Sequence, residues 1–172
     1  MTRPFVGREW FLRKTVPVMA LVVVSLLVVV AAAYYLTSRD TSQCSDPDSI
    51  SSHVYNPDRL DVIKSCTTAS GFVDDVLKEA DGDYHIRLAL DSQYGSLTNA
   101  ANDQYQYGDL VVEIICALPI TQSDAVSACH NYSNSLTIPS IDDHITVTGP
   151  YVLDTGHHDW AEIHPVYTLT IS

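Results

Sequence analysis

Asp81-Gly82-Asp83-Tyr84-His85-Ile86-Arg87-Leu88-Ala89-Leu90-Asp91 reads as a tight turn followed by a half-buried strand. Asp81-Gly82-Asp83 supplies the turn chemistry, since glycine accepts a positive φ and the aspartates hydrogen-bond their own backbone. Tyr84, Ile86, Leu88 and Leu90 then alternate with His85, Arg87, Ala89 and Asp91. At a period of two, the first set faces a core and the second faces outward. Upstream, Thr67 to Leu77 is rich in Thr and Val, with Gly71 where a strand can bend or bulge, and is the first strand of the hairpin.

Further along, Ser92 to Tyr107 is polar and reads as a surface excursion, and Asp109 to Cys116 as a third strand with apolar residues on both faces. Thr121 to Tyr132 has an N-cap in Thr121 or Ser123 and apolar residues at helical spacing in Ala125, Val126, Ala128 and Cys129, which predicts a helix. Ile145, Val147, Gly149, Tyr151 and Leu153 alternate over a fourth strand, and a turn at Thr155 and Gly156 leads into a fifth from Trp160 to Ile171. A second, weaker helix start is read at Pro57, covering Asp58 to Ile63.

This order predicts an all-β fold with one helix, a five-stranded OB-like Greek-key barrel whose helix lies between strands three and four. The stretches Asp81–Asp91, Val147-Thr148-Gly149-Pro150-Tyr151-Val152-Leu153-Asp154 and Trp160-Ala161-Glu162-Ile163-His164-Pro165 resemble those of a family of uncharacterised OB-fold-like archaeal and bacterial proteins. Asp159 precedes the tryptophan where that family often carries glycine. The resemblance spans residues 66 to 168 and implies a fold, with no activity attached.

Ahead of the barrel, Val16 to Leu36 is an uncharged run of about 21 residues. At about 1.5 Å per residue it covers the ~30 Å hydrocarbon core of a bilayer, so it reads as a single transmembrane helix. Arg3, Arg8, Arg13 and Lys14 precede it and only Arg39 follows closely, which places the N-terminus in the cytoplasm and the rest outside. Ala31, Ala32 and Ala33 offer a signal-peptidase site, yet the run is longer than a signal-peptide core, which favours a retained anchor. The resulting organisation is a cytoplasmic basic tail at 1–14, an anchor at 15–36, a stalk at 37–65 and an extracytoplasmic OB-like domain at 66–172.

The chain carries a formal charge of −12, and the part beyond residue 36 has five basic residues against twenty acidic ones. Such a surface repels phosphate backbones, which argues against nucleic acid as a partner. The expected contacts are the bilayer, through residues 16–36, and another membrane or surface protein. Cys44, Cys66, Cys116 and Cys129 all fall on the exported side, an even number in an oxidising compartment. Of the three possible pairings, Cys116 with Cys129 and Cys44 with Cys66 are favoured, the first closing a short loop and the second tying the stalk to the domain. Asn131-Tyr132-Ser133 matches a glycosylation sequon.

Two constellations carry chemistry. If strand five lies beside strand three and strand three beside strand two, then His85, Arg87, Glu113, Trp160, Glu162 and His164 share one outward surface suited to a ligand or partner. Asp154, His157, His158 and Asp159 in the final turn, with His164 beyond, are imidazoles and carboxylates of the kind that hold Zn²⁺ or Cu²⁺. No nucleophile elbow, Walker loop, dinucleotide fingerprint or H-E-x-x-H motif occurs, so no catalytic residue is assigned. The expectation is a non-catalytic binding module or accessory subunit of a membrane complex. The alternative is a metal-dependent hydrolase or metal-binding protein using the histidine-rich hairpin.

Overall fold

One strand of 19 residues, β1 (Leu60–Lys78), sets the architecture, because it is long enough to pair with two neighbours in succession. In the computed structural model, which describes residues 45–172 together with Val23, Val24 and Leu27, its first two thirds pair with β4 (His144–Asp154) and its last third with β2 (Tyr84–Leu90). β2 pairs with β3 (Leu110–Ile114), β3 runs parallel to β5 (Trp160–Ile163), and β5 pairs back onto β4. The five strands therefore form a closed ring, β1-β2-β3-β5-β4, and closure leaves no long unpaired edge. β6 (Thr168–Ile171) adds to β4 outside that ring.

The core is the inward-facing set that alternation selects. Val73, Ile86, Leu88, Leu110, Val112, Ile114, Ile145, Val147 and Ile163 are buried and packed as one cluster. Two glycines let β1 and β4 approach their neighbours. A Cβ on Gly71 would sit 2.2 Å from the Ala89 carbonyl oxygen, and one on Gly149 would sit 2.3 Å from that of Pro165. The β-bulge anticipated near Gly71 lies just beyond it, between Val73 and Asp75.

Four sequence expectations need correction. Thr121–Tyr132 is not a helix but a chain of turns, with i to i+3 bonds such as Ala125 N–H to Gln122 O and Ala128 N–H to Ala125 O. Only Ala125 of its apolar residues is buried, so the segment lacks the packed face that stabilises a short helix. Pro57 opens a single 3₁₀ turn, Pro57–Arg59, and Leu60 already belongs to β1. Strand five ends at Ile163 because Pro165 has no N–H to give the ladder, and the inward positions shift so that Val166, not Pro165, joins the core cluster. Finally, the stretch read as a surface excursion contains the only α-helix of residues 45–172, α1 (Ala100–Tyr105), between β2 and β3.

α1 begins with a reciprocal capping box between Asn99 and Asn102. Asn102 is fully buried and donates to the carbonyls of Asp109 and Ala161 while accepting from the Ala161 N–H. A polar residue thus ties the β2–β3 connection to β5, satisfying backbone groups that the ring leaves open.

Cys116 and Cys129 are bridged as expected, across a sequence separation of 13. Cys66 is also disulfide-bonded; its expected partner Cys44 lies outside the described residues, as do the basic tail and all of the anchor but Val23, Val24 and Leu27, which are helical. Among the described residues no helix is long and apolar enough to cross a membrane. Asn131 is exposed on its turn. Converting both Cys116 and Cys129 to Ser is expected to lower stability by about 3 kcal/mol, the loop-closure value for a ring of this size, read as a fall in the denaturant midpoint with a steeper slope as the unfolded chain expands.

Candidate binding cleft and buried charge cluster

β2, β3 and β5 stand side by side, and their outward positions do meet. His85 on β2 is opposite Glu113 on β3, and its Nδ1 lies 2.8 Å from Glu113 Oε1. Its Nε2 lies 3.0 Å from Oε1 of Gln106, which follows α1. On β5, Glu162 takes the Trp160 indole N–H on one oxygen and His164 Nδ1, at 3.0 Å, on the other. The His85 and Trp160 rings meet edge to face with centroids 6.0 Å apart. Five of the six residues predicted to share a surface therefore form one cluster. Arg87 turns aside, donating to Asp75 at 2.9 Å and lying 4.4 Å over the Tyr107 ring.

The surface prediction needs amendment in one respect. His85 and Glu113 are each 5% exposed, Glu162 1% and His164 2%, so the centre of this face is interior. The turn chain after β3 and residues 47–60 bury the second apolar cluster, Ile50, Val54, Ile115, Cys116 and Tyr167, on the outer side of the barrel. Sequence alternation reports which side of a strand a residue takes and nothing about what later packs on it.

Burial and charge act against each other here. Burial pulls the His85 imidazole down, but the hydrogen bond and charge of Glu113, with Gln106 and Glu79, outweigh it and push it up to about 9. Burial also opposes the charged forms of His164 and Glu162. Their mutual hydrogen bond and attraction prevail, so His164 is raised and Glu162 lowered, and the two stand as an ion pair. Asp83 differs, because burial, reinforced by Asp81, pushes it up to about 8 against the Cys116 N–H that it accepts at 2.7 Å.

The rim of the cluster opens into two clefts that share Glu79. One, of about 360 Å³, is bounded by His85, Arg87, Tyr105, Tyr107 and Trp160. The other, of about 550 Å³, lies between the β1–β2 loop at Glu79–Asp81, the β4–β5 turn at Gly156 and His157, and Tyr55 with Arg59. Tyr107 is 83% exposed, and it holds a positive φ of 60°. Glu79, Gln106, Tyr105, Tyr107 and Arg59 were not singled out in the sequence. The sequence feature that could have pointed to them is the presence of Tyr105 and Tyr107 at the end of an otherwise polar stretch.

The histidine-rich turn is not drawn together as a ligand set. Asp154 is buried and paired with Arg59, and it also holds His157 Nδ1 at 2.8 Å and the Gly156 N–H. The His157 ring stacks on Trp160 at 5.0 Å, whereas His158 stacks on Tyr105 at 4.1 Å. Asp159 is exposed and gives its carbonyl to Asn99, and His164 is engaged with Glu162. The turn thus serves to dock two aromatic side chains at the cleft wall. Comparison with known proteins finds no matching family model, no matching curated protein and no matching solved structure.

Proposed function

We propose that this chain is a membrane-anchored, extracytoplasmic binding module, an accessory subunit that takes a segment of another surface protein in the cleft beside Trp160. The observation that carries the reading is the position of the two clefts. They are built by the β1–β2 loop, the β4–β5 turn and the outer face of β2. In an OB barrel the equivalent loops and the face of strands two and three form the ligand site. The ring order supports treating this barrel as OB-like, with α1 displaced to the β2–β3 connection.

The cleft wall favours recognition over chemistry. It offers rigid aromatic area from Trp160, Tyr105 and Tyr107, with charges of both signs around it, the composition that anchors protein contacts. Arg59 and Arg87 are already held by Asp154 and by Asp74 and Asp75, so they present no open cationic pair to a phosphate. The uncharged run at 16–36 and the basic residues before it support the anchor and its orientation.

The test is the native size of the full-length protein after gentle detergent extraction from its own membranes, with co-migrating proteins identified. A defined larger assembly is expected. Tyr107→Asn, which keeps a residue tolerant of positive φ, and Trp160→Phe, which keeps an aromatic ring, should shift the protein toward its free size with the unfolding midpoint of Tyr107→Asn unchanged. A wild-type protein that always runs alone overturns the accessory-subunit reading.

A further inference from the structure

Asp83, the last residue of the Asp81-Gly82-Asp83 turn, is 4% exposed, and one of its carboxyl oxygens lies within 4.8 Å of both sulfurs of the Cys116–Cys129 bridge. Its Oδ1 accepts the Cys116 N–H at 2.7 Å, which fixes the carboxyl against that end of the bridge. The charged groups that face it are Asp81 on its own turn, Glu113 on β3 and His164 beyond β5. Burial, reinforced by Asp81, keeps it protonated up to about pH 8, so at neutral pH an O–H stands beside a disulfide. Neither the two clefts nor the ion pairs of the charge cluster use this group.

The two ends of the bridge differ. Cys116 is 4% exposed and sits in the apolar cluster with Ile50, Val54, Ile115 and Tyr167, whereas Cys129 packs at the edge of that cluster and is half-buried. Cys116 also holds a positive φ of 55°, an uncommon and strained conformation for a residue with a side chain. An incoming thiolate reaches the more accessible end, Cys129, and the electron pair of the broken bond then falls on Cys116. Burial among apolar side chains disfavours a thiolate there. The bond therefore opens most readily when a proton arrives with the electron pair, and the Asp83 carboxyl is placed to give it, directly or through one water.

We propose that the Cys116–Cys129 bridge is a thiol–disulfide exchange site for a dithiol reductant, with Asp83 as the proton donor to the departing Cys116 sulfur. One thiolate of the dithiol attacks Cys129 Sγ, and a mixed disulfide forms as the Cys116–Cys129 bond breaks. The electron pair goes to Cys116 Sγ together with the Asp83 proton, and Asp83 regains a proton from solvent. The second thiol of the reductant, deprotonated in turn, attacks the reductant's own sulfur in the mixed disulfide and releases Cys129 as a thiolate that water protonates. The dithiol is thereby oxidised to a disulfide, and Cys116 and Cys129 are reduced to two thiols. The site shares no lining residue with either cleft and does not rest on their reading.

The test is reduction of the full chain in mild detergent by dithiothreitol, followed by alkylation and mass spectrometry of Cys116 and Cys129. The rate is expected to be proportional to dithiothreitol and unchanged by about 1 M urea, which speeds any exchange that needs unfolding. At pH 7, Asp83→Asn, which keeps an acceptor for the Cys116 N–H, should slow reduction at least about tenfold, as loss of a proton donor does. Divided by the thiolate fraction of the reductant, the wild-type rate should fall as pH rises through about 8, where Asp83 loses its proton, while the Asp83→Asn rate stays level. A bridge opened by loss of stability at high pH would show the opposite slope. Should Asp83→Asn fail to fold, the wild-type profile decides. A rate that urea accelerates, an Asp83→Asn rate equal to the wild type, or a wild-type profile that does not fall above about pH 8 overturns the proposal.

Discussion

Replacing Glu162 with Ala is expected to cost the fold about 3 to 5 kcal/mol, the loss that follows when one partner of a buried ion pair is removed. Glu162 is 1% exposed and is the acceptor for both Trp160 and His164. Its removal leaves an imidazole 2% exposed that must either stay charged without a counter-ion or give up its proton, and it strands the indole N–H as well. Glu162→Gln keeps an acceptor but not the charge and should lose less. Changing Glu162 and His164 together to Leu should recover part of the loss, because apolar packing then replaces a pair whose desolvation was costly. Urea unfolding followed by far-ultraviolet circular dichroism gives all three values. A loss below about 1 kcal/mol for Glu162→Ala would show that water reaches the pair, since that is the ceiling for exposed ion pairs.

Stability should peak near pH 5 and decline toward pH 9. His85 is raised from 6.5 to about 9, so the folded state binds its proton more tightly than the unfolded chain does. That contribution is complete below pH 6.5 and is lost as pH rises through about 9, a change of about 3 kcal/mol if the whole shift is expressed. Asp83 acts in the same direction, since a carboxyl raised from 3.8 to about 8 penalises folding progressively across that interval. Glu162 acts oppositely, because its carboxyl is held below its ordinary value and its contribution disappears as pH falls. Unfolding free energies measured at pH 5, 7 and 9 check the slope. His85→Gln should flatten the limb between pH 6.5 and 9, and Asp83→Asn, which retains an acceptor for the Cys116 N–H, should be more stable than the wild type at pH 8. A flat profile in the wild type would mean that neither group is shielded from solvent.

The sequence by itself determined the strands β2 to β4 and the hairpin at Gly82, and favoured the Cys116–Cys129 bridge, because these depend on local alternation, turn residues and short loop closure; the order of strands in the ring was an expectation conditional on an OB-like barrel. A period of two also put His85, Arg87, Glu113, Trp160, Glu162 and His164 on one side once that order is assumed, and five of the six do meet, His164 just past the end of β5. Tertiary structure alone decided that this side is interior rather than open, because Gln106 from the β2–β3 connection and the Trp160 ring close against His85 and Glu162. It also decided the fate of polar residues whose local signal was ambiguous. Asn102 looked like surface and became a buried clamp, and Thr121–Tyr132 looked helical and became turns, in which Ala125 alone of the apolar positions is buried and Cys129 and Tyr132 pack at the edge of the second cluster. The turn at His157 and His158 resembled a ligand cluster in sequence, yet stacking on Trp160 and Tyr105 sends the two rings to different aromatic partners. Burial is a property of what arrives from elsewhere in the chain, and a single strand's pattern carries no record of it.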